Sequence, residues 1–158
     1  MNSQDFTAGF SVDQTPDQVF DAIKNVRGWW SEEIEGRTDA LGAEFTFHYK
    51  NLHRSIQKIT EFRPGKKVVW HVLDSRIGFV KDKAEWKGTD IVFEIVRKNG
   101  KTELRFTHVG LIPSIECYGD CSGAWSFYIN DSLRSLIATG KGQPNPKEQS
   151  DPEKVPPR

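Results

Sequence analysis

The amino-terminal part of the chain predicts one strand followed by two short helices. Residues 5–12 form a half-apolar run that is typical of a strand. Thr15 suits the N-cap of a helix, Pro16 suits its first position, and Gln18 completes a capping box. The next apolar residues lie at helical spacing and stop before Gly28: Val19, Phe20, Ile23 and Val26. A second short helical turn is predicted from Trp29, Trp30 and Ile34.

From Gly42 onward apolar positions alternate with polar ones, as they do in half-buried antiparallel strands. Strands are predicted at residues 44–50, 54–62, 68–73, 89–97 and 102–109. A turn is predicted at Pro64 and Gly65, and Asn99 with Gly100 is a strong hairpin signal. Residues 82–88 are polar and favour no single element. In the last strand, the residues on the predicted apolar side are Leu104, Phe106 and His108.

After Pro113 the apolar period returns to that of a helix. A stripe of about five turns comprises Tyr118, Cys121, Trp125, Ile129, Leu133 and Leu136. Gly140 and Gly142 are predicted to end this helix. Residues 143–158 contain five of the chain's eight prolines and no aromatic residue, which favours disorder. We therefore expect one folded domain, residues 1–142, and a disordered, charged, proline-rich tail, residues 143–158.

The order of these elements predicts an α+β fold. An antiparallel sheet must bury its apolar face, and the carboxy-terminal helix is the only predicted element long enough to cover it. A helix is about 10–12 Å wide, whereas five or six strands spaced about 4.8 Å apart span more than about 20 Å. A curved sheet that wraps around one long helix therefore leaves a cavity where the two do not touch, and such cavities bind ligands.

Composition and charge exclude several classes of function. The 158 residues carry 22 basic and 22 acidic side chains, so the chain has no net charge. A nucleic-acid-binding domain or a polybasic membrane-binding segment would carry a basic excess. No apolar run approaches the roughly 18–20 residues that span a bilayer, and residues 1–10 contain no signal-peptide core. With two cysteines and no secretory signal, a cytoplasmic location is expected.

Several segments also resemble a known family. They are residues 15–23 (TPDQVFDAI), 63–70 (RPGKKVVW), 88–93 (GTDIVF), 101–108 (KTELRFTH), 124–133 (AWSFYINDSL) and 139–140 (TG). In this order and spacing they resemble the START-like superfamily, also called SRPBCC or helix-grip. Within it, they are similar to the carboxy-terminal domain of heat-shock-protein-90 ATPase activators. The resemblance implies a curved antiparallel sheet wrapped around a long carboxy-terminal helix, with two short helices after the first strand.

The same resemblance implies what the protein does. Members of the superfamily bind lipids, hormones or polyketides, and a minority are cyclases or related enzymes. The activators use a separate amino-terminal domain for much of their chaperone contact, and 158 residues leave no room for it, so a chaperone is the less favoured partner. The leading hypothesis is a protein, monomeric or weakly dimeric, that binds a small apolar molecule without catalysis. The alternatives are a chaperone-ATPase-activator-like interaction module and a cyclase-like or hydrolytic enzyme.

The candidate ligand-binding residues are side chains predicted on the inner faces of the sheet and the helix. They are Trp30, Phe45, Phe47, Tyr49, Trp70, Phe93, Phe106, His108, Tyr118, Cys121 and Trp125. His108 suits a hydrogen bond to a ligand or, with a tyrosine, an acid/base role, but a core histidine bonded to a backbone carbonyl is the favoured interpretation. Trp29 and Trp30 are adjacent, so we expect one of them to be partly exposed at the lip of the cavity.

The sequence predicts no catalytic residue, no metal site and no cofactor. Cys117 and Cys121 lie four apart on one helix face, a wider spacing than the C-x-x-C of zinc sites, and packed thiols are the favoured interpretation. The histidines form no paired motif: His48, His53, His71 and His108. The chain also contains no G-x-S-x-G, G-x-G-x-x-G or phosphate-loop motif. A cyclase in this fold would need only a shaped pocket and one or two acid/base groups.

Overall fold

A computed structural model gives the structure of the chain and describes residues 5–49, 53–77 and 86–146. The elements up to the last strand are β1 (Phe6–Val12), α1 (Pro16–Lys24), a 3-10 turn (Val26–Gly28), β2 (Glu35–Gly36), β3 (Glu44–Tyr49), β4 (His53–Arg63), β5 (Lys67–Ile77), β6 (Asp90–Lys98) and β7 (Lys101–Val109). The carboxy-terminal helix comprises α2 (Tyr118–Ser126), a π-helical segment (Phe127–Leu133) and α3 (Arg134–Thr139).

Seven antiparallel strands form one sheet with the order β1-β7-β6-β5-β4-β3-β2. Strands β2 to β7 form a meander, and β1 pairs with β7 at the far edge. The sheet is curved, and the carboxy-terminal helix of 22 residues lies against it. The predicted α+β, helix-grip architecture is therefore confirmed. The alternation read from the sequence also places the expected large side chains in the core, each at most 2% exposed: Phe45, Phe47, Trp70, Phe93 and Phe106.

The ladder between β4 and β5 contains register shifts. β4 itself alternates less clearly in the sequence because two of its buried residues, Ser55 and Gln57, are polar. Ile56 pairs with Asp74 whereas Gln57 pairs with Val72, so Leu73 is an extra residue on β5. Val72 and Ser75 are buried, while the two residues between them, Leu73 and Asp74, are both exposed. Because an extra residue reverses which positions face inward, simple alternation does not continue through a bulge.

Helix α1 begins as predicted, but the second helical turn is displaced. Thr15 Oγ1 accepts a hydrogen bond from the Gln18 backbone N–H (3.2 Å), and Gln18 Oε1 accepts one from the Thr15 backbone N–H (2.9 Å). The second turn lies at Val26–Gly28, before the tryptophan pair rather than on it. The 3-10 turn therefore ends where the sequence pattern had predicted a helical turn to begin.

The expectation that one of the two adjacent tryptophans is exposed is wrong. Trp29 is 0% exposed and Trp30 is 1% exposed. Trp29 Nε1–H donates to the Ile23 carbonyl oxygen at 3.3 Å, and the Trp30 ring stacks on Phe47. Both side chains reach the core because the backbone turns at these residues, so they do not occupy successive positions of a helix.

The carboxy-terminal helix widens in its middle. The Arg134 N–H donates to the Ile129 carbonyl oxygen, five residues earlier, which is the bond of a π-helix. The buried apolar residues are spaced four apart along the whole helix: Cys121, Trp125, Ile129, Leu133 and Ile137. Leu136, the last residue of the predicted stripe, is only partly buried because the wider turns delay the inward position by one residue. Gly140 ends the helix in the left-handed conformation (φ 85°).

The segment after the helix returns to the turn around Trp30. The Asn145 N–H donates to the Trp30 carbonyl oxygen (3.0 Å), and the Glu32 N–H donates to the Asn145 carbonyl oxygen (2.9 Å). The folded part therefore includes Asn145, beyond the predicted boundary at residue 142. The rest of the predicted tail, residues 147–158, lies outside the described residues.

Candidate ligand cavity

A cavity of about 380 Å³ lies between the sheet and the carboxy-terminal helix. The sheet and the turn after the 3-10 segment contribute Phe47, Tyr49, His53 and Trp30. The helix contributes Asp120, Cys121, Ala124, Trp125, Phe127 and Tyr128. Trp86, which precedes β6, and Asn145, which follows the helix, complete the lining. The cavity is thus in the place where a helix-grip fold leaves its sheet uncovered.

Stacked rings hold the wall of the cavity in place. Trp30 lies against Phe47 and Trp125, with ring centroids 4.0 and 5.1 Å away. Trp86 is nearly parallel to Trp125, with centroids 5.8 Å apart and an angle of 11° between the rings. Aromatic pairs in such geometries stabilise a structure beyond the effect of burial alone. Among the described residues, no aliphatic side chain larger than alanine lines the cavity, so rigid rings determine its shape.

His108 joins two of these rings through a chain of hydrogen bonds. Trp125 Nε1–H donates to His108 Nδ1 at 3.0 Å. An indole nitrogen can only donate, so His108 Nδ1 is the acceptor and Nε2 carries the ring proton. His108 Nε2 then donates to Thr89 Oγ1 (2.8 Å), and Thr89 Oγ1–H donates to the Trp86 carbonyl oxygen (2.6 Å). His108 therefore positions both Trp125 and the backbone of Trp86.

The same bonds leave His108 little capacity for acid/base chemistry. Its side chain is 0% exposed and is not part of the cavity lining. Burial, together with the nearby His53, lowers the pKa of His108 to about 3. Its nitrogens are engaged by Trp125 and Thr89, so it has no lone pair available for a substrate. The partners are side chains, whereas the sequence had favoured a backbone carbonyl.

His53 and Trp86 bring two unpartnered polar atoms to the wall of the cavity. Within the described part of the chain, the buried atoms without a hydrogen-bond partner are His53 Nε2, Trp86 Nε1 and Gln57 Oε1. His53 is only half-buried as a side chain, but its Nε2 is sealed from solvent. Burial lowers the pKa of His53 to about 4, so the ring is neutral at physiological pH. The rings of His53 and Trp86 meet edge to face, with centroids 4.4 Å apart.

Tyr128 and Asn145 connect the helix to the segment that follows it. Asn145 Nδ2–H donates to Tyr128 Oη at 2.7 Å. Burial raises the pKa of Tyr128, so its phenol stays protonated at physiological pH. This side of the cavity is therefore polar without carrying a charge.

Formal charge is nearly absent from the lining. Asp120 is the one acidic residue among the described lining residues, and it is exposed. No lysine or arginine belongs to the described lining. A buried anion without a cationic partner is costly, so the cavity disfavours an anionic occupant.

The structure divides the eleven predicted site residues into three groups. Those that line the cavity are Trp30, Phe47, Tyr49, Cys121 and Trp125. Those buried in the core outside the cavity lining are Phe45, Trp70, Phe93, Phe106 and His108. Tyr118 is partly buried and packs against the core. A strand pattern identifies the inner face of a sheet, but it does not say which end of that face the helix leaves uncovered.

Sequence reasoning missed about half of the lining. The residues that it did not consider for the cavity are His53, Trp86, Asp120, Ala124, Phe127 and Asn145. His53 lies just before the strand predicted at residues 54–62 and pairs with Tyr49, which is a signal that could have located it. Trp86 and Asn145 lie in segments read as irregular or disordered, where no periodicity exists to indicate burial.

The cysteines show no sign of metal binding in the described residues. Cys117 and Cys121 are both buried and form no disulfide. Across residues 5–49, 53–77 and 86–146, no cluster of three His, Cys, Asp or Glu side chains is arranged to hold a metal ion. No helix in this part of the chain is both long and apolar enough to cross a bilayer.

The architecture matches several solved structures. The solution structure of the Aha1 dimer from Colwellia psychrerythraea has 23% sequence identity and a TM-score of 0.70, and the match covers 87% of this chain and 98% of that one. CalU16 from Micromonospora echinospora has 12% identity and a TM-score of 0.58, with 84% and 74% covered. DynU16, a protein from the dynemicin biosynthetic locus, has 13% identity and a TM-score of 0.63, with 89% and 49% covered.

Comparison by sequence finds no match, in contrast to comparison by structure. No protein-family description matches the chain, and no curated protein matches it. Identities at this level establish a shared fold and nothing finer. The chain therefore shares the helix-grip fold of these structures.

Proposed function

We propose that this protein binds one small, uncharged, largely apolar molecule in the cavity between its sheet and its carboxy-terminal helix, without transforming it. The observation that carries the proposal is the cavity itself, about 380 Å³ in volume and walled by stacked aromatic rings. A cavity of about 150 Å³ is enough to hold a benzene molecule, so this one has room for a ligand of two or three rings. The described lining carries no charged side chain apart from the exposed Asp120, which supports a ligand without charge.

The histidines support binding rather than catalysis. General acid/base groups work best with a pKa near the operating pH. Burial lowers the pKa of His53 to about 4 and that of His108 to about 3, well below that range. His108 is also held by Trp125 and Thr89. These groups are therefore better suited to shaping a binding site than to moving protons.

A pair of matched variants tests the proposal. Ala124 lines the cavity from the helix, and Ala138 is an exposed residue of the same helix outside the lining. We expect the neutral fluorescent ligand N-phenyl-1-naphthylamine to bind the wild-type chain at one molecule per chain. Ala124→Trp should weaken this binding at least tenfold because the indole fills the cavity, while Ala138→Trp should leave it unchanged. Folding of each variant is checked by circular dichroism.

Two results would contradict the proposal. One is a folded wild-type chain that binds no apolar ligand at millimolar concentration. The other is equal binding by wild type and the Ala124→Trp variant, which would locate the ligand elsewhere.

A chaperone-directed interaction module is the second candidate. The similarity to the Aha1 dimer favours it, because the match covers 98% of that chain. The surface gives it less support. The exposed large apolar side chains of the described residues lie far apart in the chain: Leu41 in the loop between β2 and β3, Leu73 on β5 and Phe127 in the carboxy-terminal helix. A chain that leaves apolar ligands unbound but raises the ATPase rate of a purified heat-shock-protein-90 chaperone would favour this candidate over the first.

A further inference from the structure

Two polar atoms in the wall of the cavity have no hydrogen-bond partner in the part of the chain that the structure describes. They are Nε2 of His53 and Nε1 of Trp86, and both are buried. Buried polar atoms in folded proteins are nearly always paired, and an exception calls for an explanation such as an absent ligand. Both residues line the cavity, so a molecule bound there can supply the missing partner.

The two rings are held firmly enough to act as a fixed pair. His53 packs edge to face against Phe47 on one side and against Trp86 on the other, with centroids 5.2 and 4.4 Å away. The Trp86 backbone N–H donates to Ser75 Oγ (3.2 Å), and its carbonyl oxygen accepts from Thr89. These contacts hold the two rings next to each other in the wall of the cavity.

The chemistry of the two nitrogens selects the partner group. The Trp86 indole N–H can only donate, so it requires an acceptor. Neutral His53 can offer Nε2 as an acceptor, which requires a donor. A hydroxyl group is both at once. A carboxylate offers acceptors only, and its charge would meet no lysine or arginine in the described lining.

We infer that His53 and Trp86 form a polar anchor that selects ligands carrying an uncharged hydroxyl group. This inference rests on the proposed function and deepens it: the rings hold an apolar body, and the anchor orients it. The hydroxyl oxygen accepts from Trp86 Nε1–H, and the hydroxyl proton is donated to His53 Nε2. A ligand with the same body but no hydroxyl leaves both nitrogens unpaired.

Three ligands of one shape test the anchor: naphthalene, 2-naphthol and 2-naphthoate. Their dissociation constants are measured at pH 7 by displacement of N-phenyl-1-naphthylamine. We expect 2-naphthol to bind about tenfold more tightly than naphthalene, the order expected of two added hydrogen bonds. The 2-naphthoate anion should bind the most weakly of the three.

Variants of His53 and Trp86 then test whether these two residues cause the preference for 2-naphthol over naphthalene. His53→Phe and Trp86→Phe keep an aromatic ring but remove one of the two nitrogens, so each should lower the ratio of the affinities for 2-naphthol and naphthalene to about threefold or less while naphthalene still binds. His48→Phe is the matched control, because His48 lies on the other face of β3 from Phe47 and Tyr49. It should leave the ratio unchanged. Since each ratio is measured within one variant, a general loss of stability does not imitate the effect.

The outcomes separate this inference from the proposed function. Equal wild-type affinities for naphthalene and 2-naphthol would overturn the anchor and leave the binding cavity standing. Tightest binding of 2-naphthoate would overturn both the anchor and the exclusion of anions. If a folded wild-type chain binds neither the fluorescent ligand nor naphthalene, the proposed function fails and the anchor fails with it.

Discussion

His108 and Trp125 are joined by a 3.0 Å hydrogen bond inside a fully buried part of the molecule. At the scale of residues, this bond gives His108 a structural role, although an imidazole can act as an acid or a base in other surroundings. The indole donates to Nδ1, so the ring proton must sit on Nε2, where Thr89 accepts it. The imidazole is therefore needed for its two opposite hydrogen-bonding edges rather than for its ability to titrate.

Replacing His108 by leucine tests this role. The variant keeps an apolar volume but leaves Trp125 Nε1 and Thr89 Oγ1 without their partner in the interior. We expect the free energy of unfolding, measured in urea, to fall by about 2–4 kcal/mol. Adding Trp125→Phe to His108→Leu should cost less than the sum of the two single changes, because the second change removes the unpaired donor. Additive costs would contradict a coupled pair.

At the scale of elements, Ser132 links three parts of the chain. Its hydroxyl lies in the π-helical segment and donates to the Trp29 carbonyl oxygen at 2.7 Å. The same oxygen accepts from the Gln143 backbone N–H at 2.7 Å. The wide π turn thus holds both the tryptophan turn and the segment that carries Asn145 into the cavity wall.

Ser132→Ala should loosen this connection. The Trp29 carbonyl and the Gln143 N–H both lose a buried partner, so we expect the free energy of unfolding to fall by about 1–3 kcal/mol. Hydrogen exchange of the Gln143 and Asn145 amides should accelerate more than that of the strands. Ser122→Ala is a suitable control, because the Ser122 hydroxyl is exposed and bonds only within its own helix. Equal exchange rates in the two variants would count against the proposed link.

At the scale of the whole molecule, the buried histidines make stability depend on pH. Both are ordinary histidines with a pKa near 6.5 in the unfolded chain, and folding lowers these values to about 4 for His53 and about 3 for His108. Below pH 6.5 the unfolded state therefore takes up more protons than the folded one. Their stabilising effect is complete above that pH and is lost as the pH falls toward the folded values.

We expect the free energy of unfolding to drop by about 2 kcal/mol per histidine between pH 7.5 and pH 5. Urea unfolding at the two pH values measures this. His53→Phe should remove about half of the dependence, whereas His48→Phe should preserve it. A wild-type stability that is equal at pH 7.5 and pH 5 would show that the two rings are not held neutral by burial.

The sequence by itself determined the local structure and the fold class. The capping box of α1, the alternation in Phe45 and Phe47 and the four-residue spacing up to Trp125 depend on neighbours in the chain, and these patterns appear in the structure as predicted. The order of strands and helices predicted an α+β fold with the carboxy-terminal helix against the sheet, because an antiparallel sheet must bury one face. The family resemblance added the helix-grip architecture.

Only the tertiary structure decided where the cavity lies and what lines it. Trp86, His53 and Asn145 are separated along the chain and meet because the sheet curves and the segment after the helix folds back. The burial of both Trp29 and Trp30 depends on a backbone turn, and the inward position of Ile137 depends on a π turn in the middle of the helix. Such features arise from packing between distant segments, which local periodicity does not record.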